Sequence, residues 1–158
     1  MSANNPAFTC WGDFVCSKIS DLRIIPQRVV GDLIFLGEQC KKIYHLGNCN
    51  TRIVDGYVDA RGLNLRTLEG IGRQRFLTIN GGLLLPRSIR SNILGLMKVE
   101  GLPEVKVYPY NHFGDNEFGT NLRKAIEIVN SHLASEERCI MSCKEDLMAA
   151  GLKDLAKL

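Results

Sequence analysis

Aromatic residues are scarce in this chain, 7% of 158 residues. The core must therefore be aliphatic, and Leu and Ile together number 33. Long apolar runs are also missing: no stretch approaches the roughly 20 residues of a membrane span. The first basic residue is Lys18, so no charged segment leading into an apolar one opens the chain. These absences predict a cytoplasmic protein with no membrane contact. Charge of one sign is weak as well. A net +3 is too little to impose binding to nucleic acid. Cys10, Cys16, Cys40, Cys49, Cys139 and Cys143 form no CxxC pair and no zinc pattern, which predicts no metal and no cofactor; six cysteines could make three bridges in a secreted chain, and the missing signal segment predicts reduced thiols instead. Gly70-x-Gly72 lacks the third glycine and the strand-to-helix setting of a dinucleotide loop, and no Walker-type lysine is present. At 17.6 kDa, with 45% hydrophobic and 23% charged residues, the chain has the size and balance of one globular domain.

What the chain does contain is a period. GDFV opens at Gly12, GDLIFL at Gly31, DGYVDA at Asp55, FLTI at Phe76 and GLMKV at Gly95. The first core-type residue of each is Phe14, Leu33, Val58, Leu77 and Leu96, and Cys16, Phe35, Ala60, Ile79 and Lys98 follow two positions later. Spacing by two is that of a short strand. A second apolar group follows each, as with Leu22, Ile24 and Ile25, or Leu65 and Leu68. Units this short cannot bury a core alone, so neighbours must stack and pair their strands.

Segments such as VDARGLNLRTL (58–68) and LTINGGLLLPRSI (77–89) resemble leucine-rich repeats: a strand of alternating Leu, a tight turn, then a Leu-bearing return. The likeness covers roughly residues 12–107 and is nearest to short repeat proteins of bacteria and their viruses. It implies an α+β fold, a short parallel β-solenoid with a C-terminal helical cap, and recognition of another protein through the strand face. The expected organisation is a repeat solenoid of about five coils over 1–107, a connecting loop over 108–119 and a helical cap over 120–158, packed as one domain. In the last part Leu122, Ala125, Ile126, Val129, His132 and Leu133 share a helix face. Ser135, followed by Glu136 and Glu137, predicts a second helix start, and Gly151 its end.

With alternate strand residues turned outward, Ile34, Leu36, Tyr57, Asp59, Arg61, Phe76, Thr78, Asn80, Met97 and Val99 form a candidate face for a protein partner or a second copy of the chain. The face is covered instead if the helices fold back over it or if the columns are inverted. Two other readings compete. Arg61, Arg66, Arg73, Arg75, Arg87 and Arg90 lie in a stretch without lysine and form a possible basic stripe for nucleic acid or an acidic partner. Tyr108, Tyr110, His112, Asp115 and Glu117 on the 108–119 loop carry the residue types of acid–base or metal chemistry. The expected function is non-catalytic protein–protein interaction, with no catalytic residues.

Overall fold

The structure is a computed structural model that describes residues 8–18, 20, 22, 24–47, 49–107 and 117–158. Its strands are β1 (Thr9–Cys10), β2 (Phe14–Cys16), β3 (Arg28–Val29), β4 (Leu33–Phe35), β5 (Ile53–Val54), β6 (Tyr57–Asp59), β7 (Thr78–Ile79), β8 (Gly82–Leu85) and β9 (Val105–Val107). The helices α1 (Glu117–Leu133) and α2 (Ile140–Ala149) follow. Strands alternate between two parallel sheets, one ordered β1-β3-β5-β7 and the other β2-β4-β6-β8-β9.

The expected leucine-rich-repeat-like solenoid is overturned by this arrangement. The chain is α/β, with parallel sheets of four and five strands and two C-terminal helices. A leucine-rich repeat places one strand per unit in one sheet. Here a short turn carries the chain from a strand of the first sheet directly into a strand of the second, so most passes contribute two.

Those turns follow from the Gly-Asp openings. Gly31 N–H donates to Gly12 O at 3.0 Å, Gly56 N–H to Gly31 O at 2.9 Å and Gly81 N–H to Gly56 O at 2.8 Å. Alongside this column, Asp13 Oδ1 accepts the Asp32 N–H at 2.8 Å and Asp32 Oδ1 accepts the Tyr57 N–H at 2.9 Å. Each aspartate thus satisfies a backbone donor of the next pass, as a helix cap does. The fit leaves no room for a side chain: a Cβ on Gly56 would stand 2.0 Å from Asp32 Oδ1 and 2.6 Å from Gly31 O.

Register places Phe14, Leu33, Val58, Leu83 and Val105 in one inward column. The first three match the periodicity of the sequence. The last two replace Leu77 and Leu96. Phe76 has a φ of 40°, a left-handed value that breaks the alternation there. Phe76 turns inward, Leu77 outward and Ile79 inward again as part of the first sheet. GLMKV does not form a strand. A 3-10 turn spans Leu94–Lys98 and buries Leu94, Gly95, Leu96 and Met97, leaving Lys98 exposed.

The core is one cluster. Val29, Val54 and Ile79 enter from the first sheet, Leu33, Phe35, Val58, Leu83 and Leu85 from the second, and Leu22, Ile43, Leu65 and Ile89 from the returning segments. On that returning side, backbone bonds link neighbouring passes without forming strands: Arg66 N–H to Tyr44 O at 3.0 Å and Arg90 N–H to Arg66 O at 2.9 Å.

At one end the helices close the stack. Leu122, Ala125, Ile126, Val129 and Leu133 bury one face of α1. Asn130 treats β9 as a partner strand would: its Nδ2 donates to Val105 O and its Oδ1 accepts the Val105 N–H, both at 2.8 Å. Arg138 donates to Val99 O at 3.1 Å and also to Leu102 O. His132 of α1 meets Asp146 of α2 at 2.6 Å. α2 starts later than Ser135 predicts, at Ile140 with Cys139 as its N-cap residue, because residues 134–139 form the turn between the helices. Its end is as expected. Gly151, at φ 78°, donates to Met148 O and Leu152 donates to Leu147 O, both at 3.0 Å, the paired bonds of a left-handed helix stop.

Candidate functional site

The two sheets differ in what they turn outward. The four-stranded sheet presents Arg28, Ile53 and Thr78, extended by Glu100 through a single bridge. Arg28 is tied to Asp55 at 2.9 Å, and Asn80 Nδ2 donates to the same carboxylate at 3.4 Å. That side carries one ion pair with Asn80 bonded to it, beside the half-buried Ile53. The five-stranded sheet instead aligns Val15, Ile34, Asp59, Leu84 and Lys106 across its outer face. Leu36, directly after β4, is 62% exposed, and Val15 is 48% exposed. Ile34, Tyr57 and Leu84 are half-buried on the same side. The helices pack on β9, on the 3-10 turn and on each other, so they close the end of the sheet and leave this face open.

Two features punctuate the aliphatic row. Tyr57, Gly81, Gly82, Leu83, Leu84, Glu104 and Lys106 line a cleft of about 230 Å³, whose floor is backbone because β8 begins with glycine. Asp59 and Arg61 form a fork: Nη2 to Oδ2 at 2.7 Å and Nε to Oδ1 at 2.9 Å, with the Arg61 N–H adding a third bond to Oδ1 at 3.1 Å. Burial alone works to raise the Asp59 pKa. The bonds from Arg61 and its positive charge outweigh that and hold the carboxyl below its usual range.

Of the ten residues expected on the partner face, Ile34, Leu36, Tyr57, Asp59 and Arg61 do lie together on the outer side of the five-stranded sheet. Thr78 belongs to the other sheet, and Asn80 to the turn between the two. Phe76, Met97 and Val99 must be withdrawn from the face. They are 1%, 6% and 0% exposed: the left-handed φ turns Phe76 inward, the 3-10 turn buries Met97, and Val99 follows that turn into the core. Leu84, Glu104 and Lys106 were missed. For Leu84 the signal was present, since Ile79-Asn80-Gly81-Gly82-Leu83 repeats the layout of Val29-Val30-Gly31-Asp32-Leu33.

The arginines are distributed over several places. Arg61 pairs with Asp59. Arg66 and Arg90 are neighbours on the returning side. Arg73 and Arg75 border a cleft of about 350 Å³ with His45, Thr67, Glu69 and Gln74, and Arg87 is half-buried. Of the loop residues, Tyr108, Tyr110, His112 and Asp115 lie outside the described residues, and Glu117 opens α1. Among the described residues no group of three or more His, Cys, Asp or Glu is placed to hold a metal ion.

All six cysteines are free thiols. Burial pushes the Cys49 and Cys143 thiols up to about 11. Cys139 is exposed, and hydrogen bonds from Ser142 lower its pKa. No described helix is long and apolar enough to cross a membrane.

No family model matches this chain, and no curated protein or solved structure does so either. Nothing in these comparisons indicates a leucine-rich-repeat relationship.

Proposed function

We propose that this protein is a non-catalytic protein-binding module whose partner docks on the outer face of the five-stranded sheet. The observation that carries the reading is the group of exposed and half-buried aliphatic side chains, Val15, Ile34, Leu36 and Leu84, on the outer face of the five-stranded sheet, with Leu36 62% exposed. Contiguous exposed apolar surface on a rigid scaffold is the mark of an interaction site. The cleft beside Tyr57 has a glycine floor and suits an apolar anchor side chain from the partner, the kind of contact that concentrates binding energy. The Asp59–Arg61 fork beside it fixes the local charge pattern and disfavours partners that bring a charge of the wrong sign.

What this face brings together is aliphatic surface and two ion pairs, Asp59–Arg61 and Glu104–Lys106, groups suited to adhesion. Six free thiols, four of them buried, suit a reducing compartment, and the cytoplasm is our proposed location. The test is binding of a purified partner, identified by cross-linking, to Leu36→Asp and Tyr57→Ala proteins. Each change should weaken binding at least about tenfold. A control, Met141→Asp on the exposed side of α2, should leave it unchanged. Equal affinity for all three proteins would refute the reading.

A further inference from the structure

A cleft of about 350 Å³ opens on the returning side, between the second and third passes. Its floor is apolar, built from Leu46, Leu68 and Ile71 of the core. Arg75 is half-buried in its wall, and two glycines leave the room that the guanidinium takes. A Cβ on Gly70 would stand 2.6 Å from Nη1, and one on Gly47 would stand 3.6 Å from Nη2. Nη1 donates to Glu69 O at 3.4 Å and to Gln74 Oε1 at 3.5 Å, long bonds to neutral oxygens. Arg73 lies exposed in the turn that the Gly72 N–H closes onto Arg75 O at 2.9 Å. Among the described residues neither arginine has an ion-pair partner. Leu158, on the rim, has its oxygen on Asn92 Nδ2 at 2.6 Å. A partly desolvated cation without a counter-ion is costly, and the open cleft beside Arg75 has space for one. The backbone supports the same point: Phe76, the next residue, is buried at a left-handed φ of 40°, a strained conformation for a bulky side chain that fixes where Arg75 sits.

The facing pass adds a third donor. His45 Nδ1 accepts the Gly47 N–H at 3.0 Å, which leaves the proton of the neutral ring on Nε2 and makes that nitrogen the donor. The same Cβ position on Gly47 is 2.8 Å from His45 Nδ1, so the imidazole and the Arg75 guanidinium flank one spot of the wall. We propose that the cleft binds a small hydroxylated phosphomonoester, its phosphoryl group held by Arg73, Arg75 and the His45 Nε2–H. Two cations match the charge of a phosphoryl dianion, and donors from two passes match its three terminal oxygens. A carboxylate has one charge and two oxygens, and uses this set less fully. The rest of the lining selects what the phosphoryl group is attached to. Glu69 is exposed on the same cleft and repels a ligand that is anionic throughout, but it accepts protons from hydroxyl groups. Thr67 Oγ1 already accepts the Glu69 N–H at 3.1 Å, which leaves its own proton to donate. The volume lies at the small end of small-molecule sites, which suits a compact organic phosphate.

The cleft shares no residue with the partner-binding face, so its test fails or succeeds independently of that reading. The full chain is titrated calorimetrically at low ionic strength with β-glycerophosphate, inorganic phosphate, glycerate and glycerol. One saturable site for β-glycerophosphate, with a Kd below about 1 mM, is expected. Inorganic phosphate and glycerate should bind more weakly, and glycerol should not bind. Arg73→Gln and Arg75→Gln should each weaken β-glycerophosphate at least about tenfold, whereas Lys144→Gln on the exposed side of α2 should leave it unchanged. Circular dichroism checks the fold of each variant. Arg73 is exposed and without a described partner, so its variant decides the matter even where Arg75→Gln does not fold. Four outcomes would overturn the proposal: no saturable binding of β-glycerophosphate, binding that Arg73→Gln leaves intact, glycerate or glycerol bound as tightly, and inorganic phosphate bound as tightly, which would make the free ion the ligand.

Discussion

Single atoms decide several features of this fold. Gly56 stands where a methyl group would meet the backbone oxygen of Gly31 at 2.6 Å, and backbone cannot be moved aside as a flexible side chain can. Gly56→Ala should therefore destabilise the protein by about 2–4 kcal/mol in urea unfolding, within the range of severe overpacking. Asp59 supplies a prediction with a sign. Its carboxyl pKa is held down in the folded protein, so its stabilisation is fully present above the unfolded carboxyl pKa of about 4 and is lost as pH falls through the lower folded value. Asp59→Asn should then cost stability at pH 7 and cost less at pH 3. An equal loss at both pH values would mean that the fork with Arg61 contributes nothing through charge. Among the thiols, Cys139 combines exposure with a lowered pKa, whereas Cys49 and Cys143 are buried and raised to about 11. Brief iodoacetamide treatment at pH 7, read by mass spectrometry, should label Cys139 well before those two.

At the level of elements, the ends of the stack are managed by side chains. Asn130 satisfies both backbone groups of Val105, and Asn130→Ala leaves a partly buried edge without them. A loss of about 1–3 kcal/mol is expected, with faster amide exchange at Val105 than elsewhere in β8 and β9. This scale also shows what could be read from sequence. The Phe14, Leu33 and Val58 column was legible because Gly-Asp or Asp-Gly precedes each member at nearly the same distance. The face of α1 and the stop at Gly151 were legible because helical spacing runs through many residues. The first sheet was not legible. Its strands are two residues long with one inward side chain each, Val29, Val54 or Ile79, and a single residue has no period. The fourth pass was misread because Phe76-Leu77-Thr78-Ile79 has the apolar alternation of a strand, whereas Phe76 takes a left-handed φ and the register restarts at the glycine turn of Gly81-Gly82. The fifth was misread because Leu94–Lys98 coils into a 3-10 turn whose apolar residues mimic a strand. For the candidate face, the part carried by β4 and β6 was foreseen, and the part on β8 and β9 was lost with the register of those passes.

As a whole molecule, the protein is a stack whose sides have different fates. One sheet carries the Arg28–Asp55 ion pair with Asn80 bonded to it, the helices close one end, and the outer face of the five-stranded sheet keeps its aliphatic row uncovered. Association through that face is the central claim, and a photo-reactive side chain placed there tests it most directly. With the cross-linker substituted at Leu36, irradiation in cells of the native host should yield one dominant protein adduct. The same group at Met141, equally exposed on α2, should yield none above background. Equal adducts from both positions, or none from position 36, would contradict a partner-binding role for this face.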